Sequence, residues 1–348
     1  MLSSLENTFN QKKVLITGHS GFKGKWLCRI LKNLNAKVFG FSVDPISLDG
    51  FGISSISQVV DKEYIGDINN FDLEKLILEI KPNFIFHFAA QALVRKSIEE
   101  PLITINTNTN GTCNLLEALR KYNDPCNVVL ITSDKVYKNK EWIWGYREND
   151  TLGGVDPYSA SKAMAEIAIQ SYLKTYNFLE NKIRISVARA GNVIGGGDWS
   201  EDRIIPDLIR SIKMNKPLLI RSPKATRPWQ HVLDPLFGYL QLAKILSNNN
   251  AIHGECFNFG PLNQECRTVE SICLQVKEII PEVKFLFNEE SNIESNLLQL
   301  DCSKCKNLLN YSSRFDSYKA VDLTISWYKK FLKEKSHLIE LIDQQIKI

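Results

Sequence analysis

The 348-residue chain is too long for one small core and suits one large α/β domain with a smaller appended lobe. Its composition, 44% hydrophobic and 24% charged, is that of an ordinary globular protein, and no apolar run approaches the roughly 20 residues needed to span a bilayer. A net charge of +4 with scattered basic residues argues against a nucleic-acid partner, although a mild positive excess suits an anionic small substrate.

The first segment, up to Lys13, lacks the apolar stretch of a secretory signal, so a cytoplasmic location is expected. Lys13 to Thr17 is a short buried-strand run, and Trp26, Leu27, Ile30, Leu31 and Leu34 then recur at helical spacing. Lys37 to Val43 reads as the second strand, completing a βαβ unit that ends at Asp44. The alternation continues with a helix over 73–80, a strand over 84–88, a long helix over 102–119 and a strand over 128–132. A helix over 158–176 and a strand over 183–189 follow. Such alternation implies a parallel sheet covered on both faces. After about residue 190 the rhythm loosens around Gly195-Gly-Gly197 and several prolines, which points to a smaller lobe. A helix over 236–246 and a strand over 255–259 look like a return to the main sheet.

The eight cysteines have no disulfide-scaffold spacing and are read as free thiols. Cys302 and Cys305 form a lone CxxC without a second pair or a nearby histidine, so no metal site is expected.

Gly18, Gly21 and Gly24 form GxxGxxG between the first strand and its helix. Glycine there permits a tight turn, close approach to a pyrophosphate and tight helix–strand packing, while the helix N-terminus faces the phosphates. Asp44 lies twenty residues beyond Gly24, where a carboxylate accepts hydrogen bonds from ribose hydroxyls and repels a 2′-phosphate. NAD is therefore the expected cofactor, on a Rossmann-type doubly wound parallel sheet with a second, smaller α/β lobe. Ser20, Phe22 and Lys23 belong to the same turn, and Asp67 with Ile68 is a candidate contact for the adenine amine.

Tyr158 and Lys162 lie four apart on one face of a helix, where the ammonium favours the phenolate and makes tyrosine a usable base. They follow a strand that ends in Thr132-Ser133, and together the three side chains read as a serine–tyrosine–lysine dehydrogenase site. Asp134 and Lys135, next to that serine, add an acid and a base.

The order of Gly18xxGly21xxGly24, Phe88-Ala89-Ala90-Gln91, Ser133 and Tyr158xxxLys162 resembles the extended short-chain dehydrogenase/reductases over nearly the whole chain. The Asp134–Lys135 pair is similar to that of the CDP-glucose 4,6-dehydratases, whereas the dTDP-glucose enzymes carry aspartate–glutamate. The stretches 141–149, 191–199 and 227–233 also resemble the CDP-glucose family. The resemblance implies a lyase that oxidises C4 of CDP-glucose, eliminates water across C5 and C6, and returns the hydride. On that reading Tyr158 is the C4 base, Ser133 and Lys162 polarise that centre, Lys135 is the C5 base and Asp134 the C6 acid. Phe88, Ala89 and Ala90 would line the cofactor, and Gln91, Asn192, Arg203, Arg227 and His231 the substrate. Trp142, Trp144, Trp199 and Trp229 can stack on the base or fill the lobe interface. Residues 1–189 with 230–261 would form the NAD-binding domain, and 190–229 with 262–348 the nucleotide-sugar lobe. The helices over 99–120 and 157–176 resemble the family's dimer-forming pair, implying a homodimer or a dimer of dimers.

Overall fold

Short apolar runs and amphipathic helices close into one parallel sheet in the computed structural model, which describes residues 2–220, 222–261, 267–287, 298–334 and 337–348. Its strands are β1 (Lys13–Thr17), β2 (Lys37–Ser42), β3 (Lys62–Ile65), β4 (Phe84–His87), β5 (Cys126–Ile131), β6 (Ile183–Ala190) and β7 (Cys256–Phe259), arranged β7-β6-β5-β4-β1-β2-β3. The chain runs outward from β1 to β3 and then crosses to β4, so β1 and β4 are neighbours with Val14 opposite Phe84. Their C-terminal ends diverge at this crossover, which is where a doubly wound sheet opens a ligand crevice.

Alternate residues face opposite layers. Val14, Ile16, Phe84, Phe86, Val129 and Ile131 join one apolar core, and Leu15, Ile85, Val128 and Leu130 the other. The first core is covered by α1 (Leu2–Phe9), α2 (Phe22–Asn33), the helix Leu233–Asn248 and the helix Ser317–Lys333. The second is covered by α3 (Leu73–Ile80), α4 (Gly111–Arg120) and α5 (Pro157–Thr175).

The structure departs from the sequence reading at three elements. Helix α1 was not foreseen, and it inserts Leu5 and Phe9 into the first core, with the Phe9 ring 4.7 Å from that of Phe84. Strand β3 was not foreseen either, because an edge strand of sequence KEYI exposes Lys62 and Ile65 and carries no apolar run. The single helix expected over 102–119 is instead a helix over Pro101–Ile105, a π-helical turn over Asn106–Asn110, and α4. The widened turn carries Asn108, whose buried amide bonds Gln91 and Ser161.

Outside the sheet, Val193–Ile194 pairs with Gln230–His231, Thr226–Arg227 with Arg267–Thr268, and Leu218–Ile220 with Phe285–Phe287. The seven cysteines within the described residues are free, and Cys266 lies outside them. Among the described residues no group of three or more histidine, cysteine or acidic side chains could hold a metal, and no helix is long and apolar enough to cross a membrane.

Candidate active site

The crevice begins at the turn after β1. Gly18 has φ +73°, and a Cβ there would lie 2.7 Å from the backbone of Phe88 and Ala89 after β4. Gly24 packs as closely, since its Cβ would stand 2.3 Å from the Gly18 carbonyl oxygen. Gly21, by contrast, is exposed and caps α2 without any side-chain hydrogen bond, so the helix N-terminus faces the crevice with backbone donors alone. Ser20 N–H donates to Ser42 Oγ at 3.2 Å and ties this turn to the end of β2, beyond which Asp44 is exposed. Phe22 and Lys23 are half-buried in the first turn of α2. Burial, with Arg203 adding to it and Asp134 opposing, lowers Lys23 to about 7.

Asp67 is exposed and uses Oδ1 on Asn69 N–H, while Ile68 is buried. A groove of about 490 Å³ runs from Asp67, Asn69 and Asn70 to Asn106, Thr107 and Asn110. Sequence reasoning found the Asp67 side of this groove and missed the helix side, whose polar face is legible only as an asparagine-rich stretch.

A buried chain of hydrogen bonds supports the loop after β4. The Thr112 hydroxyl donates to Asn108 O at 2.7 Å, so it must accept from His87 Nε2–H at 3.1 Å. His87 Nδ1 is then the acceptor for the Thr17 hydroxyl at 2.7 Å, and Thr17 Oγ1 in turn accepts Ala89 N–H at 3.3 Å. This direction requires a neutral imidazole, and burial, with Lys162 adding to it, holds His87 down at about 3. Phe88, Ala89 and Ala90 remain half-buried at the crevice wall.

The catalytic candidates converge at the ends of β5 and α5. Ser133 caps a 3₁₀ turn over Asp134–Val136, and its Oγ accepts Lys135 N–H at 3.2 Å and donates to Asp134 Oδ1 at 2.9 Å. Asp134 is buried, and desolvation raises its carboxyl above the usual range against the pull of Lys135. Its Oδ2 would be 3.1 Å from a Cβ on Gly191, so the turn after β6 closes over it; Asn192 is half-buried next to that glycine. Lys135 is half-buried. Asp156 caps α5 by accepting Ser159 N–H, and Pro157 fits the first helical position, so the helix begins one residue before Tyr158. Tyr158 hydrogen-bonds Ser133, and burial raises its phenol despite that bond. Burial lowers Lys162 to about 8, opposed by Glu166.

Other expected ligands are placed differently. His231 is fully enclosed between Trp26 and Phe315, both ring pairs 5.8 Å apart and edge-on, and burial takes it down to about 3. The substrate contact read from its motif is therefore corrected: this histidine belongs to the core. Gln91 is half-buried and engaged within its own loop and the next helix, donating to Thr104 Oγ1 at 2.8 Å and Leu93 O at 3.0 Å. Arg203 donates to Asp198 Oδ2 at 2.8 Å, and Arg227 donates to Thr226 O at 2.8 Å from its short strand. Of the tryptophans, Trp229 is buried, Trp199 packs on Tyr328 and Phe331, and Trp144 is exposed.

Comparison with known proteins agrees with this geometry. A CDP-glucose 4,6-dehydratase from Salmonella typhimurium is 40% identical over 342 residues, covering 96% of this chain and 95% of that protein. The structure of a UDP-glucuronic acid 4-epimerase from Bacillus cereus, in complex with UDP-glucuronic acid and NAD, matches with a TM-score of 0.78 at 26% identity over 91% of this chain and 99% of that one. A dTDP-glucose 4,6-dehydratase from Bacillus anthracis, in complex with NAD, shares the fold with a TM-score of 0.75 at 22% identity, covering 94% of this chain and 99% of that one. Residues 15–323 match the GDP-mannose 4,6 dehydratase family, and the chain belongs to that family.

Proposed function

We propose that this protein is an NAD-dependent CDP-glucose 4,6-dehydratase, converting CDP-glucose to the 4-keto-6-deoxy sugar and water. The observation that carries the reading is the turn at the end of β5, where a buried Asp134, its carboxyl raised above the usual range by desolvation, sits beside Lys135 and Ser133, and Ser133 meets Tyr158. A plain alcohol dehydrogenation needs only the serine, tyrosine and lysine. The added acid and base are what an elimination requires.

The glycine turn fits NAD: α2 presents its N-terminus without a side-chain cap, Gly21 is exposed, and Gly18 and Gly24 leave no room for a Cβ. Asp44 would hold the adenosine ribose, and Asp67 with the Asn106–Thr107 side of its groove the adenine. NAD held there would supply the hydride acceptor for C4 and the hydride donor for C6. The protein's side chains do the rest. Tyr158 Oη removes the C4 hydroxyl proton, with Ser133 Oγ hydrogen-bonded to the same oxygen and Lys162 favouring the phenolate. The resulting ketone acidifies C5–H, Lys135 in its neutral form takes that proton, and Asp134 donates its own to the C6 oxygen, which leaves as water. Lys135 then gives a proton back to C5 as C6 regains its hydrogen. Asn192 and Arg227 are assigned to the nucleotide sugar, and Arg203 to its phosphates through the cationic group it forms with Lys23. Residues 190–229 and 262–348 make up the lobe that holds this substrate, the remainder the cofactor domain. The protein is further assigned as a homodimer joined through α5 and the helices that precede α4.

Purified protein incubated with CDP-glucose and NAD tests the reading. Loss of one water from the sugar with no net NADH is the expected result. Turnover confined to another nucleotide sugar would overturn the CDP assignment, and silence on all of them would overturn the activity.

A further inference from the structure

Behind the crevice lies a buried ion pair that takes no direct part in the steps assigned above. Glu166 is fully buried on α5, one turn past Lys162, so the two side chains share a face of the helix. Arg189 on β6 is 2% exposed, and its Nε lies 2.8 and 3.0 Å from the two carboxylate oxygens of Glu166, with Nη2 also donating to Oε2. Two charge-assisted bonds of this kind fix the carboxylate in one orientation. Glu166 Oε1 also accepts the Thr132 hydroxyl at 2.5 Å, and Thr132 is the residue before Ser133. The other face of the guanidinium holds a second set of partners. Arg189 Nη1 donates to Tyr137 Oη at 2.7 Å and Glu148 O at 2.9 Å, and Tyr137 Oη donates to Asn258 Oδ1 at 2.7 Å. Asn258 Nδ2 then donates to Tyr146 O at 2.8 Å and Asp301 O at 3.1 Å.

We propose that Glu166, held by Arg189, is a positioning residue for the dehydration: its carboxylate keeps the ammonium of Lys162 charged and its bond to Thr132 fixes the strand end that bears Ser133, Asp134 and Lys135. The inference rests on the function proposed above for those four side chains. Besides burial, the charge acting on Lys162 is Glu166 on its own helix, which also carries the Arg189 cation, while Lys162 in turn adds to the lowering of Lys23 on α2 and His87 on β4. His87 is neutral and Lys23 carries the same sign as Lys162. Glu166 is therefore the group that opposes the burial which would strip the proton from Lys162. Without it Lys162 becomes neutral at lower pH, and Tyr158 loses the cation that stabilises its phenolate.

Two variants test this. Glu166→Gln removes the charge and keeps the shape, and the double variant Glu166→Met with Arg189→Met removes both charges, so that no lone cation is left buried. The first readout needs no substrate: the Nζ titration of Lys162 in ¹⁵N-lysine-labelled protein, assigned with Lys162→Arg. Its midpoint falls by about one pH unit in folded Glu166→Gln, and by less in the folded double variant, where the Arg189 cation is lost as well. The second is the kcat/KM pH profile with NAD and CDP-glucose, whose alkaline limb moves to lower pH by a similar amount. An unchanged midpoint in a folded variant overturns the proposal, as does a loss of activity equal at every pH. Failure of both variants to fold makes the pair a framework element and overturns it too. If the wild-type protein does not turn over CDP-glucose, the proposed function fails, and the Lys162 midpoint still decides the role of Glu166.

Discussion

A lysine removes a proton only while it is neutral, and a carboxylic acid donates one only while it is protonated. The 3₁₀ turn after β5 places one of each side by side, with Asp134 buried and raised and Lys135 half-buried. Their division of labour can be read separately, because C5 deprotonation in D₂O labels the product and C6 departure does not. Lys135→Ala is expected to bind NAD as the parent does, since the side chain is not part of the glycine turn, and to lose deuterium incorporation at C5 while kcat falls by about 10²- to 10⁴-fold. Mass spectrometry of the recovered sugar measures it; incorporation at the parental level would transfer the C5 base to another residue. At this scale the sequence was informative where spacing carries the chemistry, as in Tyr158 and Lys162, and weaker where orientation decides. His231 and Gln91 stand in the expected stretches, but a motif does not say what a side chain touches. Arg189 and Glu166 went unremarked because each lies inside an apolar run, where a charge has meaning only once its partner, 23 residues away in sequence, is known.

Among the elements, the strands with uniform apolar runs were legible, because burial on both faces of a parallel sheet writes itself into sequence as Val-Leu-Ile or Phe-Ile-Phe. Edge strand β3 was not, since one side of it meets water. The long helix before β5 was legible in its ends and not in its middle, where the π turn swings Asn108 toward Gln91 and Ser161. The junction of β1 and α2 separates two uses of glycine that a GxxGxxG pattern treats alike. At Gly24 a Cβ would press on the backbone of Gly18 and His19 from 2.3 to 2.7 Å, so Gly24→Ala overpacks the junction. About 1–3 kcal/mol of lost stability is expected, which lowers the melting temperature of the cofactor-free protein by several degrees. At Gly21 the nearest neighbour of a Cβ is Gly18 O at 3.2 Å, and the residue is exposed. Gly21→Ala should therefore leave the cofactor-free melting temperature nearly unchanged and weaken NAD binding at least tenfold by blocking approach to the helix N-terminus. Calorimetric titration and thermal melts on the two variants distinguish these outcomes, and equal destabilisation by both would show that the turn does not divide its glycines in this way.

For the whole molecule, the two cores account for the buried apolar residues of the sheet, yet one surface stays uncovered. Ile98 and Leu102 are exposed by 59% and 73% on the short helices that precede α4, and Ile167 by 59% on α5, whereas Ile103 lines the Asp67 groove. These helices pack against each other, so the three side chains stand on neighbouring elements. A monomer gains nothing from showing water a cluster of large aliphatic side chains on rigid helices, and such patches mark association surfaces. Two antiparallel copies of a helix pair can bury it in a four-helix arrangement around a two-fold axis. Tyr158 and Lys162 lie on α5 itself, so a contact through that helix also braces the proposed site. The protein should therefore scatter light as twice its 39.7 kDa chain mass across a wide concentration range. Leu102→Glu combined with Ile167→Glu would bury like charges at the centre of the contact, and the mass should fall to that of one chain, with far-UV circular dichroism retained. A parent protein that stays monomeric at every concentration, or a variant that keeps the dimer mass, would place the association surface elsewhere.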